Sequence, residues 1–330
     1  MKRLSILIAI GLVLAAAGFG IFRAFFDQQV EDRVEAALTE GPPPQPCPPS
    51  PAETGSEPSA DTTPAPITHV VLIVMENKEC GDIIGSPDAP YLNSLADRFA
   101  LATSWHGITH PSLPNYIALL GGSTFGIDSN CTDCHVNEAN LVDQLEAAGI
   151  SWKAYMEGMP SPCFKEKSAG EYRKRHNPFV YYDDVAGDPS RCAKIVPLTE
   201  LSADLESGAL PSFAWITPGL CHDMHDCSVR EGDDFLARLV PPILDALGPD
   251  GLLVITWDEG RSNDACCDGA AGGNIATIFA GGAALSGGRS SLPYSHYSLL
   301  RTLEDVWGLP PLGAAAGARP VADLLAPRGA

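Results

Sequence analysis

Four short apolar runs limit what this chain can fold into more than anything else in it. His69–Met75 is dominated by valine, isoleucine and leucine, and residues 212–217, 252–257 and 275–280 are similar. A strand with one wet face alternates polar and apolar residues. A continuous apolar run is instead buried on both faces, the pattern of a parallel sheet covered by helices. Helical spacing of apolar residues falls between these runs, at 140–148, 233–247 and 296–306, and most glycines lie in the loops. The pattern predicts an open α/β sheet in one domain spanning 67–330, with its ligand site beyond the carboxyl ends of the strands. A hydrophobic fraction of 45% supplies the core such a domain needs.

Upstream of residue 67 the sequence changes character. Met1-Lys2-Arg3 precedes an apolar run over residues 4–22, close to the ~20 residues that cross a bilayer. Ala15-Ala16-Ala17 offers small residues for cleavage, while Ile21-Phe22 and Phe25-Phe26 carry the apolar character further. Residues 1–26 therefore read as a signal peptide or an N-terminal membrane anchor. Either reading places the rest of the chain outside the cytoplasm, secreted or membrane-anchored. Residues 27–40 read as a short charged stalk, and residues 41–66, rich in Pro, Ser, Thr, Glu and Ala, as a semi-rigid linker.

Ten cysteines fit an oxidising compartment. Cys47 lies in the linker, where no folded partner is expected. The nine others are an odd number, which calls for one free thiol or a bond to Cys47. Cys131 and Cys134 read as a structural disulfide, since no second CxxC follows. Cys221 with Cys227 and Cys163 with Cys192 are further candidate pairs, and the adjacent Cys266 and Cys267 cannot easily share one partner. With 21 basic against 41 acidic residues the net charge is -20, which argues against nucleic acid as a partner. Any anionic substrate must be held by a local device.

Chemistry-bearing residues sit where the strands end. The first run leads straight into Glu76-Asn77, and the run at 252–257 into Asp258-Glu259. The segment Thr109-His110-Pro111-Ser112-Leu113-Pro114-Asn115-Tyr116 leads into a helix-like stretch. Together these offer carboxylates and an amide oxygen, a donor set for a hard divalent cation such as Mg, Ca or Mn. A single acidic pair after a strand usually caps the next helix; two pairs, each ending a buried strand, favour the metal. Ser112 has the position of an ordinary helix N-cap. It also has that of a nucleophile, because backbone N–H groups and the helix dipole favour an anion there. Pro114 is tolerated in the first turn, and Asn115 is placed to donate to a phosphoryl oxygen.

HVVLIVMEN at 69–77, HPSLPNY at 110–116, WDEG at 257–260 and SHYSLLRTLED at 295–305, taken together, resemble the bacterial and fungal phosphoesterase family. That family contains acid phosphatases and non-specific phospholipases C and is related to the alkaline phosphatase superfamily. The resemblance covers about residues 67–310. It implies an alkaline-phosphatase-like three-layer α/β sandwich with a mostly parallel central sheet. It further implies Glu76, Asn77, Asp258, Glu259 and the Ser112 oxygen as metal ligands, with Mg, Ca, Mn and Zn all open, and Ser112 as the residue that is transiently phosphorylated.

Between Cys221 and Cys227 the chain carries His222, Asp223, His225 and Asp226. The resemblance supports His222 most, as the group reaching the phosphate or the leaving oxygen, with His225 beside it and Asp223 as a further ligand or orienting group. His176 resembles another position near the phosphate. His296 opens a helix, where a cation is disfavoured, so a neutral role near the site is expected; His110 reads as structural. The expected phosphate-binding set is Asn115, His176, His222, His225 and His296.

The resulting expectation is a metal-dependent acid phosphatase acting on a small phosphate monoester, with an optimum below neutral pH where protonated histidines offset the acidic surface. A phospholipase C-type diesterase is the alternative; phospholipid-cleaving members of the family resembled here tend to carry extra C-terminal domains, and this chain ends soon after the last motif. A non-catalytic, membrane-tethered metal-binding domain is opposed by the completeness of the residue set. A thiol oxidoreductase built on Cys131 and Cys134 is opposed by their placement.

Overall fold

β1 (His69–Met75) runs through the middle of a nine-stranded sheet, with every residue after His69 buried. The computed structural model describes residues 45–48 and 66–327. The expected leader at 1–26, the stalk at 27–40 and most of the linker at 41–66 lie outside the described residues.

After β1 come α1 (Pro90–Arg98), β2 (Ala100–His106), α2 (Ser112–Gly121), α3 (Leu141–Ala147), β3 (Trp152–Met156), β4 (Ile195–Pro197), α4 (Leu201–Ser207) and β5 (Phe213–Thr217). They are followed by α5 (Val229–Leu247), β6 (Gly251–Trp257), β7 (Asn274–Ala280), the short β8 (Arg289–Ser290) and β9 (Tyr294–Ser295), and α6 (His296–Trp307). The sheet order is β8-β2-β7-β6-β1-β5-β3-β4, with β9 also on β2. β7 alone runs antiparallel, against both β2 and β6. Among the helices α1, α4 and α5 pack together, and so do α2, α3 and α6. This is the expected three-layer sandwich with a mostly parallel sheet.

Register places the site. β1 and β6 pair in parallel from His69 opposite Gly251 to Met75 opposite Trp257, so the residues that follow, Glu76 and Asp258, leave the sheet side by side. The exit is tied by backbone: Asp258 N–H donates to Met75 O at 2.9 Å, and Glu76 N–H to Asp223 O at 2.9 Å. α5 starts four residues before the expected 233, because Ser228 and Glu231 form a capping box that satisfies the first N–H groups. β2, β3 and β4 have no long β-branched run, and their neighbours in the sheet decide their strand geometry.

Three disulfides join the expected pairs Cys131–Cys134, Cys163–Cys192 and Cys221–Cys227. A fourth corrects the linker reading: Cys47 is bonded to Cys80. Residues 45–48 lie against the chain at Cys80, where Gly81 N–H donates to Gln45 O at 3.1 Å. A Cβ on Gly81 would stand 2.5 Å from that same oxygen, so only glycine permits the approach. Composition could not signal this, because a four-residue backbone contact and one bond hold the segment. Cys266 and Cys267 are both free thiols. The bridge spans 33 residues, so loop-closure entropy gives it about 3–4 kcal/mol of stabilisation. The double substitution Cys47→Ser/Cys80→Ser is expected to lower the denaturation midpoint accordingly; an unchanged midpoint would show that the bond holds nothing down.

Candidate active site

Ser112 is the first residue of α2 and is fully buried. Its hydroxyl donates to Glu76 Oε2 at 3.1 Å, which joins the helix N-terminus to the end of β1. Tyr116, one turn further along α2, donates its hydroxyl to Glu76 Oε1. The His176 ring stacks on Tyr116 with centroids 5.4 Å apart; its Nε2 lies 3.2 Å from Glu76 Oε1 and its Nδ1 3.6 Å from Asp223 Oδ2. Asp258 Oδ1 accepts from Asn77 N–H at 3.0 Å. Asn77 itself adopts φ 52°, a left-handed conformation that asparagine tolerates and a β-branched residue would not. Gly107 keeps the opposite wall close, since a Cβ there would stand 2.9 Å from Asp258 O.

Glu76, Asp223 and Asp258 are fully buried. Burial, and then the charges of Asp258 and Asp223, push the Glu76 carboxyl well above its usual range. Burial chiefly does the same to Asp223 and Asp258. His176 is held well below the ordinary histidine value, first by burial and then by the Arg175 and His225 charges, so its imidazole is neutral. Asp223 Oδ2 and Asp258 Oδ2 are buried with no hydrogen-bond partner, and ligand atoms of Glu76, His176 and Asp223 lie within 4.8 Å of one another. Clustered carboxylates with orphaned oxygens are costly alone and well matched to a divalent cation, so these residues fit one.

The expected ligands divide. Glu76, Asn77, Ser112 and Asp258 lie together, joined by hydrogen bonds. Glu259 instead turns to His110, with Nδ1 and Oε2 2.6 Å apart, and to Asn115 Nδ2 at 3.3 Å. Burial alone would lower the His110 imidazole, but the Glu259 carboxylate overrides it and holds it up at about 9. Asn115 braces the loop that leads to Ser112: its Oδ1 accepts from Ile108 and Thr109 N–H, and its Nδ2 donates to Thr109 O and Pro111 O.

The histidines differ from one another. His296 is the clearest departure from the expected phosphate-binding set, because Nε2 donates to Asp258 O and Nδ1 accepts from Trp105 Nε1. Both nitrogens are spent on protein, and burial lowers the ring to about 4, so His296 holds Asp258 in place. His222 is stacked on Phe235 with centroids 4.2 Å apart, and its Nδ1 lies 2.8 Å from Glu157 Oε1. None of its described contacts reaches Ser112; Nε2 is the nitrogen left for a ligand. His225 lies beside His176 and Arg175. Sequence reasoning missed Tyr116 and Glu157. The first had a signal, since it falls four residues after Ser112 and so on the same helix face; the second had none, being 65 residues from His222.

The fold is that of the alkaline phosphatase superfamily. A crystal structure of a superfamily protein from Vibrio parahaemolyticus superposes with TM-score 0.54 at 13% identity, covering 83% of this chain and 76% of that one. A sulfatase from a Pseudoalteromonas species gives TM-score 0.52 at 14% identity over 80% of this chain and 73% of its own. Within that fold, residues 84–310 match the Phosphoesterase family, and the chain belongs to it. It is thus a hydrolase acting on phosphoric ester bonds. A Mycobacterium tuberculosis protein named phosphatidylinositol-3-phosphatase is 36% identical over 78% of this chain and 82% of its own length. An Aspergillus fumigatus acid phosphatase is 33% identical over 66% of this chain, which spans about half of that protein, 51%.

Proposed function

We propose that this chain is an extracytoplasmic, metal-dependent acid phosphatase that hydrolyses phosphate monoesters through a phosphoserine at Ser112. The observation that carries the reading is Ser112 itself: a buried hydroxyl at a helix N-terminus, 3.1 Å from Glu76 Oε2, beside two carboxylate oxygens that lack donors. Glu76, Asn77, Asp223 and Asp258, with the Ser112 oxygen, would hold the divalent cation, and His176, whose Nε2 accepts from Arg175, would lie beside it. When bound, that ion supplies positive charge to the phosphoryl oxygens and favours the serine alkoxide.

Ser112 Oγ attacks phosphorus in line as its proton passes toward Glu76, and the Oγ–P bond forms while the bond to the leaving oxygen breaks. The helix N-terminus favours the negative charge of the phosphorylated side chain. His222, held through Nδ1 by Glu157, is the residue we assign to protonate the leaving oxygen. Water then cleaves the phosphoserine, releasing phosphate and restoring the hydroxyl.

The first experiment is phosphate release by the full chain from p-nitrophenyl phosphate and from bis(p-nitrophenyl) phosphate, with and without chelator. Chelator-sensitive turnover of the monoester is the expected result. Preference for the diester would move the reading to a phospholipase C-type enzyme, and no turnover of either with any added divalent ion would move it to a metal-binding domain. A second reading, hydrolysis of a monoester on a phosphoinositide headgroup, is favoured by the name of the mycobacterial relative and is tested by adding that lipid to the same assay.

The monoester kcat/KM is expected to peak below neutral pH, because a chain of net charge -20 repels an anionic substrate more strongly as further groups deprotonate. His176 and His296 take no part in that dependence, since burial keeps both neutral. A rate still climbing above about pH 8 would contradict the acid phosphatase reading.

A further inference from the structure

We infer that Arg175 is the specificity-determining residue that makes this site a monoesterase, by binding the non-bridging phosphoryl oxygen that a monoester has and a diester lacks. The inference rests on the phosphatase reading above and names the substrate feature that the site selects.

Arg175 belongs to a basic run in an acidic chain, Arg173-Lys174-Arg175-His176. Its neighbours face elsewhere. Arg173 donates to Gly170 O at 2.7 Å and Tyr172 O at 3.0 Å. Lys174 donates to Thr132 O at 2.6 Å and lies 4.6 Å over the Tyr181 ring. Arg175 alone turns to the site: Nε donates to His176 Nε2 at 3.2 Å, and Nη2 lies 3.3 Å from His225 Nε2. His176 Nε2 is in turn 3.2 Å from Glu76 Oε1, so the guanidinium stands two short contacts from the carboxylate that holds Ser112.

An arginine close enough for its charge to act on Glu76 and Asp226 ordinarily pairs with a carboxylate. Among the described residues no carboxylate lies within ion-pair distance of Arg175. The two imidazoles contact Nε and Nη2 along one edge and leave Nη1 and the second Nη2 proton, an edge that matches phosphate oxygens in pairs, for a ligand. Lys78, another cation near the cage, donates to backbone, to Met224 O at 2.6 Å and Asn77 O at 3.4 Å. A diester offers two non-bridging oxygens and a monoester three. The cage around Ser112 serves oxygens common to both, and the free edge of Arg175 serves the third.

The test uses the full chain and three variants, Arg175→Ala, Arg175→Gln and Arg175→Lys. Arg175→Ala should lower kcat/KM for p-nitrophenyl phosphate about 100-fold and that for bis(p-nitrophenyl) phosphate less than about tenfold. The inhibition constant of inorganic phosphate, which needs no diesterase activity, should rise at least about tenfold, with Arg175→Lys intermediate because it keeps the charge and loses the fork. Equal losses on the two esters with an unchanged phosphate inhibition constant would mean that Arg175 only orients His176 and His225, and would overturn the inference. If the alanine variant does not fold, Arg175→Gln or Arg175→Lys, checked for a native melting temperature, carries the same comparison. A wild-type chain with no monoesterase activity would instead sink the underlying reading.

Discussion

Ser112→Ala is expected to reduce phosphate release from a monoester by at least about a thousandfold in kcat, because the atom proposed to form the covalent intermediate is gone and the cage can assist only direct attack by water. The variant should remain folded. Ser112 lies at the N-terminus of α2, but its side chain makes no cap hydrogen bond, and the N-cap position belongs to Pro111. Losing the hydroxyl therefore removes a donor to Glu76 without unwinding the helix. Trapping the wild type with radiolabelled substrate in acid should leave label on Ser112, and none in the variant. A variant that keeps more than a tenth of wild-type turnover would exclude the phosphoserine route and leave a water-attack mechanism in the same cage.

Asp223→Asn is expected to have opposite effects with and without metal. In chelated protein Glu76, Asp223 and Asp258 crowd one buried space; burial holds all three above their ordinary values, and neighbouring carboxylate charges add to this at Glu76 and Asp223. A carboxyl raised in the folded state binds protons that the unfolded chain releases. Chelated protein should thus lose stability as pH rises from the ordinary carboxylate range toward the raised values. Replacing Asp223 by the isosteric amide removes one of those charges and should raise the melting temperature of the chelated form at neutral pH. Added divalent cation should stabilise the wild type, by about 2.7 kcal/mol at a hundred times its dissociation constant. The variant should lose most of that gain and at least about a hundredfold of its activity. Melting curves with chelator and with metal decide the matter; a variant stabilised by metal as strongly as the wild type would remove Asp223 from the cation site.

Much of the site could be read from local sequence. Glu76-Asn77 and Asp258-Glu259 each end a continuous apolar run, and a run buried on both faces can only be an inner strand, so its last residues must emerge at the carboxyl end of the sheet. Ser112 was marked by the helix-like stretch that it leads into, with Pro114 tolerated in the first turn. His176, His222 and His225 were legible as chemistry-bearing residues but not by partner. Nothing in the order of residues says that Glu157 would hold His222, or that Glu259 would turn away to His110. The Cys47–Cys80 bond was hidden for the same reason, since a proline-rich segment carries no periodic signal of the four residues that dock.

Sequence alone thus determined the fold class, the central strands and most of the polar groups that meet in the candidate site, because hydrophobic period and residue chemistry are local properties. The tertiary structure alone decided how those groups are used. The parallel register of β1 on β6 sets Glu76 beside Asp258, the loop after β5 brings Asp223 under them, and the sealing of all three from water raises their carboxyls and leaves two oxygens without donors. Desolvation and mutual repulsion depend on distances between residues far apart in the chain, and only the folded backbone sets those distances.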